Sequence, residues 1–139
     1  MLRLNSLIGA VKSLEVAVDL FLNVEKYIST DENLKNVVRA GVIQNFEVAY
    51  ELSWKFVKRY LEAQVGSGYI DGIHRKELFR IAAEHHLIDD VESWFDYNKA
   101  RNLTSHVYRE EYADEVAEKA AAFLCDAKKL IEALEKHND

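Results

Sequence analysis

DENLKNVVRAGVIQNFEVAYELSWKFVKRYLEAQ, residues 31–64, is patterned as one long helix, and the fold follows from it. Val38, Val42, Phe46, Ala49, Phe56 and Tyr60 mark one apolar stripe. Ile43, Tyr50, Trp54 and Val57 put more apolar surface on a second side. A helix apolar on two sides is either central in its bundle or also faces a partner subunit. Between the stripes runs a polar ridge of Gln44, Glu47, Glu51, Lys55 and Lys58. Its simplest role is a solvated edge, stiffened by a Glu51–Lys55 pair at i,i+4 that contributes about 0.3–0.5 kcal/mol. Ser29, Thr30, Asp31 and Glu32 supply N-cap candidates and early acids at the start. Gly66-Ser67-Gly68 ends the helix as a loop, its glycines permitting the positive φ of a C-cap.

Outward from this stretch the pattern stays helical. Leu4, Leu7, Val11, Leu14, Val18 and Phe21 alternate steps of three and four, predicting an amphipathic helix from about residue 4 to about 27. A short helix is expected at about 75–85, with Leu78, Ile81 and Ala82 on one face. Asp89-Asp90 caps a fourth, which carries Val91, Trp94, Phe95 and Tyr97. The last, about 111–135, has a stripe of Ala113, Ala117, Ala120, Leu124, Ala127, Ile131 and Leu134. Proline is absent, and no segment alternates as a strand does. The expected fold is all-α, an up-and-down four-helix bundle with one additional short helix, in a single domain across residues 1–139.

Composition narrows the function classes. The formal charge of −6 argues against a general nucleic-acid coat, although local basic patches remain allowed. No long uncharged apolar run suggests a signal peptide or a membrane span, so a cytoplasmic protein without membrane contact is expected. The lone Cys125, among Ala121, Phe123 and Leu124, is expected to be a small buried hydrophobe, and a single thiol fits a reducing compartment. His85-His86 and the isolated His74 do not make a metal set, because adjacent residues diverge on a helix. No metal and no cofactor is called for.

Chemistry concentrates in Arg101-Asn102-Leu103-Thr104-Ser105-His106-Val107-Tyr108. Residues 97–109 carry Lys99, Arg101 and Arg109 and no acid, whereas 81–96 carry five acids and no Lys or Arg. Residues 110–139 hold nine acids against four bases. A cationic island in an acidic chain is a local electrostatic feature. On a straight helix Asn102 and His106 share a face, but Arg101 and His106 stand about 140° apart. For those two to converge, the helix must loosen near Thr104-Ser105, whose hydroxyls compete for helix carbonyls, or the site must combine two subunits; a useful site asks for a helix end here and preferably for a dimer. An imidazole with an arginine and no carboxylate cluster suits metal-free RNA cleavage. His106 would serve as general base on a ribose 2′-OH or as general acid on the leaving oxygen, and Arg101 would balance charge on the phosphate.

Arg101-Asn102, His106 and Tyr108 together resemble the Arg-x4-His-x-Tyr motif of HEPN-domain proteins. Phe46-Glu47, Tyr50-Glu51-Leu52, Trp54-Lys55, Lys58 and Tyr60-Leu61 resemble the HEPN branch called nucleotidyltransferase substrate-binding proteins, and the similarity spans essentially the whole chain. The resemblance implies a HEPN bundle that forms a homodimer with both motifs at a shared cleft, beside a minimal nucleotidyltransferase as partner. In one arrangement of this toxin–antitoxin type the HEPN protein is a ribonuclease toxin, and the nucleotidyltransferase silences it by adding AMP to the motif tyrosine. Carried over, Arg101 and His106 are the catalytic candidates, Asn102 an orienting residue and Tyr108 the AMP acceptor, with RNA as substrate. The family name implies an alternative, a non-catalytic subunit that binds substrate or nucleotide for a separate nucleotidyltransferase. This chain has no Gly-Ser followed by an Asp-x-Asp pair and is not the catalytic subunit itself. A third possibility is an interaction module with the island at a dimer interface.

Overall fold

A computed structural model describes residues 2–27 and 30–137. Its helices are α1 (Asn5–Leu22), α2 (Val24–Tyr27), α3 (Glu32–Val65), α4 (Ser67–Ile70), α5 (Arg75–Glu84), α6 (Val91–Leu103) and α7 (Glu110–His137). A 3₁₀ turn, Thr104–His106, links α6 to α7. No strand occurs among the described residues, and none of the helices is long and apolar enough to cross a membrane. The architecture is the expected four-helix bundle of α1, α3, α6 and α7, with α5 as the additional short helix and α2 and α4 as single turns.

The two apolar sides of α3 are explained by its place. It packs against α1 and α7 and also meets α5 and α6, so it is the central helix. Asp31 caps it, its side chain accepting from the Asn33 amide at 2.7 Å; Ser29 lies outside the described residues. Gly66 ends it with φ of 96°, a conformation that favours glycine. The following residues are not the plain loop expected, because Ser67–Ile70 closes one more helical turn and buries Ile70.

Two boundaries differ from the sequence pattern for local reasons. The first helix stops at Leu22, where the Asn23 side-chain amide donates to the Asp19 carbonyl at 2.9 Å and competes with helix continuation. The buried face of α7 is set by Phe123 and not by Leu124, which is only half-buried. That phase turns Cys125 out to solvent and corrects the expectation that it is buried.

Phe123 centres the core. Its ring lies 5.1 Å from Tyr97, 5.3 Å from Phe46, 5.5 Å from Trp94 and 6.1 Å from Tyr50, all tilted or edge-on. These rings come from α3, α6 and α7, so one aromatic layer locks three helices. The Tyr97 hydroxyl donates to Asp126, and no buried side-chain polar atom among the described residues lacks a partner. Burial, then the hydrogen bond and negative charge of Asp126, push the Tyr97 phenol up.

Candidate functional site

The α6 helix ends where its own side chains take its last carbonyls. The Thr104 hydroxyl donates to the Arg101 carbonyl at 2.7 Å, and the Ser105 hydroxyl to the Asn102 carbonyl at 3.4 Å. These hydroxyls satisfy groups that the next helical turn would otherwise take, and the backbone tightens into the 3₁₀ turn. The loosening near Thr104-Ser105, one of the two ways for Arg101 and His106 to converge, is therefore present. It also cancels the i,i+4 alignment of Asn102 and His106 expected on a straight helix. The Arg109 amide donates to the His106 carbonyl at 3.1 Å, and α7 starts immediately after.

The break divides the motif into an anchored part and an exposed part. Arg101 is anchored: its Nε lies 3.0 Å from Glu51 Oε1, and its NH1 lies 3.6 Å from Glu47 and donates to the Thr104 hydroxyl at 2.8 Å. Glu51 accepts from Trp54 Nε1 at 2.9 Å with its other oxygen. The Glu47–Glu51 ridge is thus not a solvated edge with a Glu51–Lys55 pair. It holds the motif arginine, and Lys55 lies over the Trp54 ring instead. His106 and Tyr108 are exposed, Tyr108 to 80%, with their rings 6.1 Å apart. Asn102 is exposed, and among the described residues its side chain makes no hydrogen bond. Among those residues, too, no hydrogen bond or ion pair joins Arg101 to His106.

An open groove of about 580 Å³ runs from this end along α3. Arg39, Ala40, Ile43, Gln44, Glu47 and Val107 line it. Arg39 ties the groove wall to the start of α7 through Asp114 at 2.6 Å and Glu110 at 3.8 Å. Beside the groove Val37 and Val48 are 68% and 50% exposed, an apolar face left open on an otherwise central helix.

Behind Arg101, the Tyr50 hydroxyl donates to Asn98 at 2.8 Å. Burial pushes the Tyr50 phenol up to about 12, opposed by the hydrogen bond and charge of Arg75 and by Arg101. Glu47 and Glu51 belong to the second family-like stretch and Thr104 to the island, but the sequence pairs none of them with Arg101, and it does not point to Asn98. The local signal was Glu47 and Glu51 at i,i+4 on α3, but nothing local says which residue fifty positions away they meet.

Comparison with known proteins places these features in a family. Residues 2–136 match the family described as nucleotidyltransferase substrate binding protein like. A Haemophilus influenzae protein named probable ribonuclease HepT is 34% identical over 138 residues, covering 99% of this chain and 94% of that protein. A solved Haemophilus influenzae structure, described as revealing the fold of a substrate binding domain of a nucleotidyltransferase, superposes with a TM-score of 0.90 at 34% identity. The match covers 96% of this chain and 99% of that one. A crystal structure from Thermus thermophilus shares the fold, with a TM-score of 0.63 at 23% identity over 87% of this chain and 98% of that one.

Proposed function

This chain belongs to the nucleotidyltransferase substrate binding protein like family of HEPN-domain proteins, and from that premise we propose that it is the toxin half of a pair with a minimal nucleotidyltransferase. Its activity is metal-independent endoribonuclease cleavage, carried by Arg101 and His106 and silenced by AMP addition to Tyr108. The observation that carries this is the helix break at Thr104, which leaves an anchored guanidinium on one side and an exposed imidazole and phenol on the other.

In the reaction, His106 takes the proton of a ribose 2′-OH, and the freed oxygen attacks the adjacent phosphorus. The P–O5′ bond breaks, the imidazolium of His106 passes its proton, directly or through water, to the leaving 5′-oxygen, and a 2′,3′-cyclic phosphate remains. Arg101 stabilises charge on the non-bridging oxygens, exchanging its hold on Glu47 for the phosphate. Asn102 orients the strand. A phosphate-bearing AMP on Tyr108, two residues from His106, puts negative charge and bulk where the RNA phosphate would sit.

A homodimer completes the site. Support comes from the exposed Val37 and Val48 beside the groove, whose lining includes both Glu47 and Val107, so a second copy on this face would meet the motif directly.

The substrate-binding alternative has its own observation. Arg101 is engaged by two carboxylates in the free chain, an arrangement that could hold and release a nucleotide without cutting anything. RNA cleavage by the purified protein in EDTA, beside Arg101→Ala and His106→Ala, decides between them. EDTA-resistant cutting lost in both variants is expected, together with growth arrest on induction that His106→Ala removes. Protein co-produced with the nucleotidyltransferase should carry AMP on Tyr108 by mass spectrometry. No cutting by unmodified dimeric wild type on several RNA classes would leave the binding subunit as the answer.

A further inference from the structure

Arg75, the first residue of α5, is held by an aromatic face and two neutral polar groups. Its guanidinium lies 3.8 Å over the centre of the Trp54 ring. Its NH1 sits 3.3 Å from the Tyr50 hydroxyl and 3.4 Å from Asn98 Oδ1. All three partners are neutral. Arg39, Arg80, Arg101 and Arg109 each pair with a carboxylate, whereas no ion pair among the described residues involves Arg75. Among the described residues, therefore, no carboxylate lies within ion-pair distance of it, and its Nε and second terminal nitrogen make no protein hydrogen bond. An oriented guanidinium fork with free donors is the geometry that takes a phosphate.

The surroundings extend this cation outward. Arg75 lines a groove of about 630 Å³ together with His74, Lys76, Arg80 and Asn98. The one acid on its wall, Glu77, is paired with Arg80 at 3.3 Å. Lys76 and Arg80 both lie over the half-buried Phe95 ring, at 5.4 and 5.3 Å. Basic side chains laid over an aromatic surface form the composition that follows a single-stranded nucleic-acid backbone.

Arg75 is also linked to the motif through two side chains. Trp54, which carries Arg75 on its face, donates its indole N–H to Glu51, and Glu51 holds Arg101. One indole and one carboxylate thus separate the two guanidiniums, and both act on the Tyr50 hydroxyl. Resting on the ribonuclease proposal above, we propose that Arg75 is a second phosphate subsite, holding the RNA strand next to the phosphate cut at Arg101 and His106, with Lys76 and Arg80 continuing the track. Neutral partners suit this task, because they orient the guanidinium without competing for the anion.

The test is binding of a fluorescein-labelled oligoribonucleotide to the full chain carrying His106→Ala, which separates binding from cutting. Adding Arg75→Gln should weaken binding about tenfold, and the slope of log affinity against log salt should fall by about 0.7. Arg75→Lys should restore the slope but only part of the affinity, since an ammonium neither stacks nor forks. In the cleaving chain Arg75→Gln should raise KM much more than it lowers kcat. The exposed pair Lys76→Gln/Arg80→Gln gives a smaller loss in the same direction and decides the matter if Arg75→Gln melts early. Wild-type affinity and salt slope in a folded Arg75→Gln chain, or in the exposed pair, would overturn the subsite even if RNA is cut normally. So would absence of RNA binding by the His106→Ala chain. Arg75-dependent binding of an RNA that the intact chain never cuts would keep the subsite and remove the ribonuclease.

Discussion

The aromatic layer around Phe123 and the island of residues 101–108 share α6 and obey opposite rules. In the layer, rings from α3, α6 and α7 meet within 5.1–6.1 Å of Phe123, and every ring is nearly or fully buried. In the island, His106 and Tyr108 face solvent, while Arg101 and Thr104 are tied into the bundle by polar contacts and Leu103 and Val107 by packing. Packing belongs to the layer and exposure to the island, and a group that must meet a substrate cannot also be packed on all sides. Tyr50 and Glu51 are adjacent on α3 and form the seam between them, one ring in the core and one carboxylate on the motif arginine.

Breaking the layer should have the largest effect. Phe123→Ala empties the centre of four ring contacts and should cost about 3–5 kcal/mol in urea unfolding. Alkali should act next, through Tyr50. Its phenol is raised from 10.0 to about 12, so the folded chain keeps a proton that the unfolded chain loses near pH 10. Stability is then present in full below about pH 10 and lost as pH rises through about 12, amounting to about 2–3 kcal/mol, with Tyr97 acting in the same direction. Tyr50→Phe should flatten the Tyr50 part of that decline in unfolding midpoints measured from about pH 9 upward.

Cutting the seam should cost less. Glu51→Ala removes the Arg101 pair and the Trp54 hydrogen bond from a partly exposed site, and about 1 kcal/mol is expected after solvent screening. Its sharper readout is RNA cleavage, which should fall as Arg101 loses its orientation. The smallest stability effect belongs to the island tip. His106→Ala and Tyr108→Phe should each leave unfolding within about 0.5 kcal/mol of wild type, yet His106→Ala should abolish cleavage and Tyr108→Phe should abolish AMP acceptance. A large loss of stability in either variant would contradict the division between layer and island.

Much of this was legible along the chain. The long helix, its two apolar sides, the Asp90 cap of α6, the alanine-rich last helix and the break near Thr104 all follow from spacing and side-chain chemistry within a few residues. Errors arose where the phase of a helix or the competition at its end decided. Leu124 and Phe123 are both apolar and adjacent, and only packing against four rings selects Phe123 and turns Cys125 outward. Asn23 interrupts the first helix through side-chain hydrogen bonds to Asp19 that periodicity does not register.

By itself, the sequence determined the helices and most of their buried faces, since these depend on local periodicity, caps and residue type. Only the tertiary structure decided that Glu47 and Glu51 hold Arg101, and that Arg75 rests on Trp54, Tyr50 and Asn98 with no carboxylate beside it. Those pairings join residues twenty to fifty positions apart, and their partners are set by how helices cross. A charged ridge looks the same in sequence whether it faces water or an arginine.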